Sequence, residues 1–399
     1  MSTVSTTVVR PPSPPGPVRW LKKNLFSTWY NTLLTVLAAV VVFFVLRGVL
    51  TWVLFTANWA PVTNSLKLFA VGQYPPDQLW RVGTILFMVS FLFGLSWRVW
   101  GGTVRTFALT LAIVLGVLSV LPISMSLTLR LGFLANPVLT FIGYQVGRTP
   151  IGKSLWVVLG WLLSFVLTII LLTGVEGANW LPRVETGLWG GLLLTFLLAL
   201  VGIVASFPIG VLLALGRQSS LPVLKAFCIA FIEIVRGVPL VTILFMASII
   251  LPLFLPEEVR VDRVLRAMMG MTLFAAAYMA ENIRGGLQAI PLGQVEAAKA
   301  VGLDGFQIML FIVLPQALRL VIPAIVGQFI ALFMDTTLAV IVGLMELLAV
   351  GRAVLEINVE WKLLNMEVYI FIAAVFWIFN YAMSYASRHL EMALGVGER

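Results

Sequence analysis

The chain has 399 residues, 60% of them hydrophobic and only 11% charged, with a mean hydropathy of +1.04 and a net charge of +9. Soluble domains clothe their surface with about 25% Asp, Glu, Lys and Arg, so this composition excludes a water-soluble protein and predicts an integral membrane one. One cysteine, Cys228, and one histidine, His389, exclude an internal disulfide and a His/Cys metal cluster.

The opening Met1 to Pro17 is Ser/Thr/Pro-rich, without the apolar core or cleavage site of a signal peptide, and reads as a disordered tail. A bilayer core takes about 20 apolar residues as helix. Such runs follow at 32–54, 81–97, 105–127, 155–173, 189–216, 224–255, 264–282, 318–345 and 367–387. A further one at 131–147 is short and interrupted by Asn136-Pro137. The loop from Thr56 to Trp80, with its Trp, Asn and Pro, suits an external surface. Basic residues recur on alternate connections: Arg10 to Lys23, Arg98 to Arg105, Arg148 with Lys153, Arg217 to Lys225, 284–319 and Arg388. The connections between them are mixed or acidic, through Asp77, Glu176, Glu185, Glu257, Glu258, Asp262 and Glu346 to Glu367. By the positive-inside rule both termini are cytoplasmic, which demands an even number of spans. The reading is an all-α integral membrane protein of about ten spans, with Arg130 a small violation on the outer side. If 105–147 only dips into the membrane or lies along it, eight spans satisfy the same parity.

Between two of these runs, GRTPIGKS (147–154) matches the Walker A pattern letter for letter. A real P-loop sits between a buried strand and a soluble helix, where its amides wrap a hydrated phosphate. Here Ser154 leads into LWVVLGWLLSFVLTIILL, long and apolar enough to cross a bilayer, and no soluble α/β domain exists to house a nucleotide. Arg148 and Lys153 read as inside-facing anchors of the next span.

Beyond 187, charge enters the helices, which is where function usually lies in membrane proteins. Glu233 and Arg236 stand three residues apart, as do Glu281 and Arg284, so each pair is expected to neutralise itself along one helix face. Gly237 and Pro239 break the first helix just past its pair, and transporters use such breaks at binding sites. Asp335, followed by Thr336, is the deepest unpaired carboxylate. Asp335, Thr336, Tyr278, Glu281, Glu233 and Arg236 are therefore the candidate pathway residues. The plainer reading is that the pairs hold helix bends and that Asp335 and Tyr278 serve packing. Cys228 reads as a small core residue and His389 as a surface residue at the headgroups.

Residues 296–315, EAAKAVGLDGFQIMLFIVLP, fit E-A-A-x3-G-x9-I-x-L-P through Glu296, Ala297, Ala298, Gly302, Ile312, Leu314 and Pro315. Glycines and prolines between 285 and 305 cut the connection into short pieces, a helix–turn–helix elbow slim enough to dock in a groove. The pattern resembles the cytoplasmic EAA loop of permease subunits of bacterial ATP-binding-cassette (ABC) importers. FIEIVRGVPLVTILF (231–245), AAAYMAENIRGGLQAIPLGQ (275–294) and LPQALRLVIPAIVGQFIALFMDTTLAVIVGLMELL (314–348) are similar to segments of the polar amino-acid importer permeases. WLKKNLFSTWYNTLLT (20–35) fits the extended M-type permease of general L-amino-acid importers. The family more often has Lys at position 334, where this chain has Met334.

The resemblance implies a type I importer fold with a five-helix core over 187–392 and a coupling loop at 284–316. Extra transmembrane helices over 32–186 and a cytoplasmic tail over 1–31 would precede it. It implies transport of L-amino acids (polar, acidic or neutral) from the periplasm across the bacterial inner membrane. The partners would be a cytoplasmic ATPase dimer, a second homologous permease and a periplasmic binding protein. ATP and Mg²⁺ would sit on the ATPase, with no cofactor and no catalytic site in this chain, and no nucleic acid involved. Alternatives are a permease half that only scaffolds and couples while its pair binds substrate, and a stand-alone secondary transporter. The latter calls for inverted repeats, and none is legible.

Overall fold

The computed structural model describes residues 16–120, 126–150, 152–256 and 259–393. The Ser/Thr/Pro-rich opening up to residue 15, the end of the 105–127 run, Ile151, Glu257 and Glu258 lie outside them. Helices α1 (Pro17–Asn24), α2 (Trp29–Thr51), α3 (Ala60–Asn64), α4 (Leu66–Val71), α5 (Leu79–Trp100), α6 (Gly102–Val120), α7 (Leu127–Val146) and α8 (Ser154–Thr173) come first. They are followed by α9 (Gly191–Arg217), α10 (Pro222–Gly237), α11 (Leu240–Phe245), α12 (Arg263–Gln288), α13 (Leu292–Ala300), α14 (Gly305–Gln307), α15 (Leu314–Asp335), α16 (Leu347–Ile357) and α17 (Asn365–Ala393). No named strand occurs among the described residues; two isolated bridges, Gly72 with Trp189 and Gly191 with Glu346, are the β-type pairings.

Among the described residues seven helices are long and apolar enough to cross a membrane, or eight if α10 and the helical stretch Leu240–Phe254, bent by 107°, count as one span. With the shorter α6 and the charge-bearing α12 these are the helical segments anticipated from the sequence. The expected 224–255 run is thus not one straight span. Gly237 ends α10, and Pro239, which has no N–H to extend that helix, starts α11.

Contacts divide the chain into a unit of Met1–Trp59 and one of Ala60–Arg399. In the first, Thr28 caps α2 by accepting from the Asn31 amide at 3.3 Å, and Thr35 donates to the Leu25 carbonyl at 2.8 Å. Helix α2 buries none of its residues, as an all-apolar helix does when it is built to face lipid.

In the larger unit, α5 and α7 approach until a Cβ on Gly143 would lie 2.1 Å from the Phe91 carbonyl oxygen. Small residues at such contacts are how membrane helices gain packing without a hydrophobic drive. Asn136, read from the sequence as a weakness of the span, is buried and accepts from the Ser90 hydroxyl at 2.8 Å, while its own amide donates to Gly132 O at 2.9 Å. Pro137 rides inside α7 without ending it. The same device joins α9 to α12, where a Cβ on Gly210 would meet Met279 at 2.6 Å. Helix α12 is deeply enclosed, with Ala275, Ala276, Ala277, Met279, Ala280 and Ile283 buried.

The N-terminal helices were expected to hold few polar groups, yet Arg81 of α5 is fully buried. Its guanidinium donates to the carbonyls of Leu171, at the end of α8, and Pro182, at 3.2 and 2.8 Å, and the Tyr74 hydroxyl donates to Leu172 O at 3.1 Å. A cation at the negative end of a helix satisfies carbonyls that have no partner in the helix. Burial raises the Tyr74 phenol above its ordinary pKa, against the opposing pull of Arg81.

Candidate functional site

The elbow runs between α12 and α15. Helix α13 carries Glu296, Ala297 and Ala298, and Gly302 follows at φ +87°, the left-handed conformation that closes a helix and that glycine adopts without strain. The Val301 and Gly302 amides donate back to the Ala297 and Lys299 carbonyls at 3.2 and 2.9 Å. Asp304 then opens α14 with a capping box, accepting from the Gln307 amide at 2.8 Å while its own amide donates to Gln307 Oε1 at 3.0 Å. A π-helical turn, Ile308–Val313, leads into α15. The patterned residues therefore fall in two places: Glu296, Ala297, Ala298 and Gly302 on the first arm, and Ile312, Leu314 and Pro315 on the second, which packs against it. Ala298 is buried between the arms. Leu292, Val301 and Phe306 are 78%, 81% and 74% exposed, large apolar groups on the outside of a turn. Glu296 and Lys299 are exposed as well.

At the same end of the bundle, α9, α10 and α12 bring charges together. Glu281 of α12 accepts from Arg284 and lies 3.4 Å from Arg217 and 3.5 Å from Arg236. Glu233 meets Arg217 at 3.0 Å. The expected Glu281–Arg284 pair is present, but the expected Glu233–Arg236 pair is not. Arg236 turns toward α12, its guanidinium 5.5 Å from the centre of the Tyr278 ring. Helices pack by register across the bundle, and there a carboxylate on a neighbouring helix outcompetes one three residues away. Arg217, on the last turn of α9, was not among the sequence candidates, and only its place at a helix end beside a predicted break could have pointed to it. Tyr278 is half-buried against Phe274, with ring centres 4.9 Å apart, whereas Met279 is pure core.

Asp335 ends α15 and is half-buried, and the adjacent Thr336 is buried with its hydroxyl donating to Phe333 O at 2.7 Å. The sequence candidates are thus not one cluster. Glu233, Arg236, Tyr278 and Glu281 gather near the elbow, whereas Asp335 and Thr336 lie toward the other end.

At that far end Glu346, read from the sequence as one of the acids of a connecting loop, is fully buried. Glu346 caps α16, accepting from the Leu348 and Ala349 amides at 2.7 and 2.8 Å. Burial pushes its carboxyl up to about 7, against the pull of those two amides and of Arg352. Cys228 is buried with its Sγ against Gly216, as a core residue should be. His389 is part-exposed on α17, its ring 4.1 Å from that of Tyr385 one turn back, with Nδ1 3.1 Å from the Tyr385 carbonyl.

Residues 206–395 match the family of binding-protein-dependent transport system inner membrane components. The chain is similar to the inner membrane amino-acid ABC transporter permease protein YhdY of Escherichia coli (strain K12). The two are 35% identical over 393 residues, 95% of this chain and 93% of that one. It is also similar to the glutamate/glutamine/aspartate/asparagine transport system permease protein BztC of Rhodobacter capsulatus, 36% identical over 96% of this chain and 95% of the relative. A shorter relative, the probable glutamine ABC transporter permease protein GlnP of Bacillus subtilis, is 35% identical over 51% of this chain and 92% of its own length. With likeness of this depth along nearly the whole chain, the protein belongs to the amino-acid ABC transporter permeases, multi-pass proteins of the inner membrane.

Proposed function

We propose that this permease imports amino acids into the cytoplasm, driven by ATP hydrolysed on a separate ATPase dimer that holds ATP and Mg²⁺. The observation that carries the reading is the elbow, a rigidly capped turn whose outer face displays Leu292, Val301 and Phe306. Exposed apolar side chains on a small, well-ordered surface suit a groove on a soluble partner. Both termini and the elbow then lie in the cytoplasm, as the distribution of basic residues favours. Residues 187–392 form the transporting core, 32–186 the added helices, and 1–31 a cytoplasmic tail. The core pairs with a second, homologous permease and receives substrate from a periplasmic binding protein. The name of the Rhodobacter relative favours polar and acidic L-amino acids as cargo.

Within the core, the Glu281 cluster ties α9, α10 and α12 together beside the elbow, where a push from the ATPase would first be felt. Asp335 and Thr336 belong to the substrate path. The test is Glu296→Lys, alone and with Phe306→Asp, in the complete complex in vesicles. ATP-dependent uptake should fall at least tenfold and ATPase subunits should no longer co-purify, while the permease still inserts. Normal uptake with normal co-purification would remove the coupling role of the elbow.

A further inference from the structure

The first acidic residue of the chain is Asp77, so everything before it carries charge of one sign only. Three of those cations, Arg19, Lys22 and Lys23, sit on α1, a helix of eight residues. Arg19 stands three and four residues from the two lysines, so all three share one side of the helix, while Trp20, Leu21 and Asn24 share the opposite side. Neither side is covered. Trp20 and Leu21 are 50% and 42% exposed, the three cations are exposed as well, and none of them makes an ion pair among the described residues.

The links to α2 fix where α1 stands. It leaves α2 near that helix's start and does not pack along it. The Asn24 side chain closes α1 by donating to Trp20 O at 2.9 Å, and the Phe26 amide turns back to the Leu21 carbonyl at 3.3 Å. Leu25 O then accepts from the Thr35 hydroxyl at 2.8 Å. Thr35 lies six residues into α2, ~9 Å along its axis. The unbroken apolar run from Val36 to Leu46 starts at the next residue. The end of α1 is therefore held at the level where α2 enters the hydrocarbon. Trp29 and Tyr30, both exposed and with ring centres 6.0 Å apart, lie on the polar side of that level, where aromatic side chains settle at a membrane surface.

We propose that α1 lies in the membrane surface at the start of α2 and binds acidic phospholipids there. Arg19, Lys22 and Lys23 face the headgroups and donate to phosphate oxygens, while Trp20 and Leu21 sink among the first acyl carbons. The two faces together select this occupant over a protein or a nucleic acid. Either of those could take the cations but would leave a tryptophan and a leucine in water beside a bilayer, whereas a lipid surface satisfies both faces at once. Near an anionic surface each cation strengthens binding about fivefold, so the three together contribute roughly a hundredfold. The first span thus starts from a foot held by lipid, on the cytoplasmic side under the placement proposed above. This requires α2 to span the bilayer and is independent of what the permease carries.

The test uses the full-length permease in nanodiscs of phosphatidylcholine alone or of an equal mixture with phosphatidylglycerol. Asn24→Cys introduces a thiol on the Trp20 side of α1, Cys228→Ala removes the native one, and reaction with an uncharged, bilayer-impermeant maleimide is timed. Labelling should be at least fivefold slower in the mixed discs, and molar salt should abolish the difference. Arg19→Gln, Lys22→Gln and Lys23→Gln together should bring the rates in the two lipids within twofold of each other. If that variant does not insert, Trp20→Ser with Leu21→Ser carries the test, with fast labelling expected in both lipids. Equal rates in the two lipids before either face is altered, or a lipid effect that survives loss of either face, overturns the proposal. Protection that appears only on adding the ATPase subunits, whatever the lipid, overturns it in favour of a protein partner.

Discussion

Helix α12 meets charge at both ends and handles it in opposite ways. Near the elbow, Glu281 is within ion-pair reach of Arg217, Arg236 and Arg284 from three helices. Toward the far end, Arg266 donates to the Ser248 carbonyl instead of a carboxylate, and Asp335 has no ion pair or hydrogen bond among the described residues. Buried charge is expensive unless matched. The matched end therefore holds helices in place, whereas the far end leaves a carboxylate without an ionic partner among the described residues.

The strongest challenge to that contrast is Glu281→Gln, which leaves three guanidiniums sharing only Glu233. With its side chain 22% exposed, Glu281 is buried enough that losing it should destabilise the permease by roughly 2–4 kcal/mol. Thermal unfolding of the purified protein in detergent would read this as a drop of several degrees. An unchanged midpoint would mean the cluster is not a fastening.

Glu346 sharpens the contrast, since this far-end carboxylate is held by amides and not by arginine. Its pKa is 4.5 unfolded and about 7 folded, so the folded state binds the proton more tightly. That contribution to stability is complete below pH 4.5 and is lost as pH rises through 7. Glu346→Gln, which never ionises, should unfold like the parent in acid and be the more stable of the two at pH 8, by ~1–3 kcal/mol. Parallel melting-temperature profiles across this range would show that Glu346 does not titrate with folding.

The smallest effect belongs to Glu233→Gln. At 55% exposed, this side chain is well solvated and its pairing with Arg217 is screened, so its loss should cost below ~0.5 kcal/mol. A melting shift as large as that of Glu281→Gln would erase the distinction between the centre of the cluster and its edge.

Much of this architecture was legible in the sequence because it rests on local rules. Apolar runs of bilayer length became helices, Gly237 and Pro239 broke where backbone chemistry requires it, and the glycines around 302 made a turn. Partnerships across the bundle were not legible. Arg236 was matched on paper to Glu233 by spacing, but the registers of α10 and α12 decide its neighbour. Arg81 passed as the edge of an apolar run, since nothing local shows that the end of α8 arrives there. Asn136-Pro137 looked like a flaw because its amide's partners, Ser90 among them, include one on another helix. The π-helical turns Met246–Ile250 and Ile308–Val313 likewise carry no sequence signature that periodicity detects.

The pinch of Gly72, Gly190 and Gly191 has a consequence for how such proteins can be recombined. A Cβ on Gly72 would lie 2.5 Å from the Gly190 Cα, and one on Gly191 would lie 2.3 Å from the Phe69 carbonyl oxygen. At this point the segment after α4 meets the start of α9 main chain to main chain, and the Gly191 amide donates on to Met345 O at 2.8 Å. A joint made of backbone leaves no room for a side chain at any of the three positions, so a graft of other helices before α9 would have to retain all three glycines.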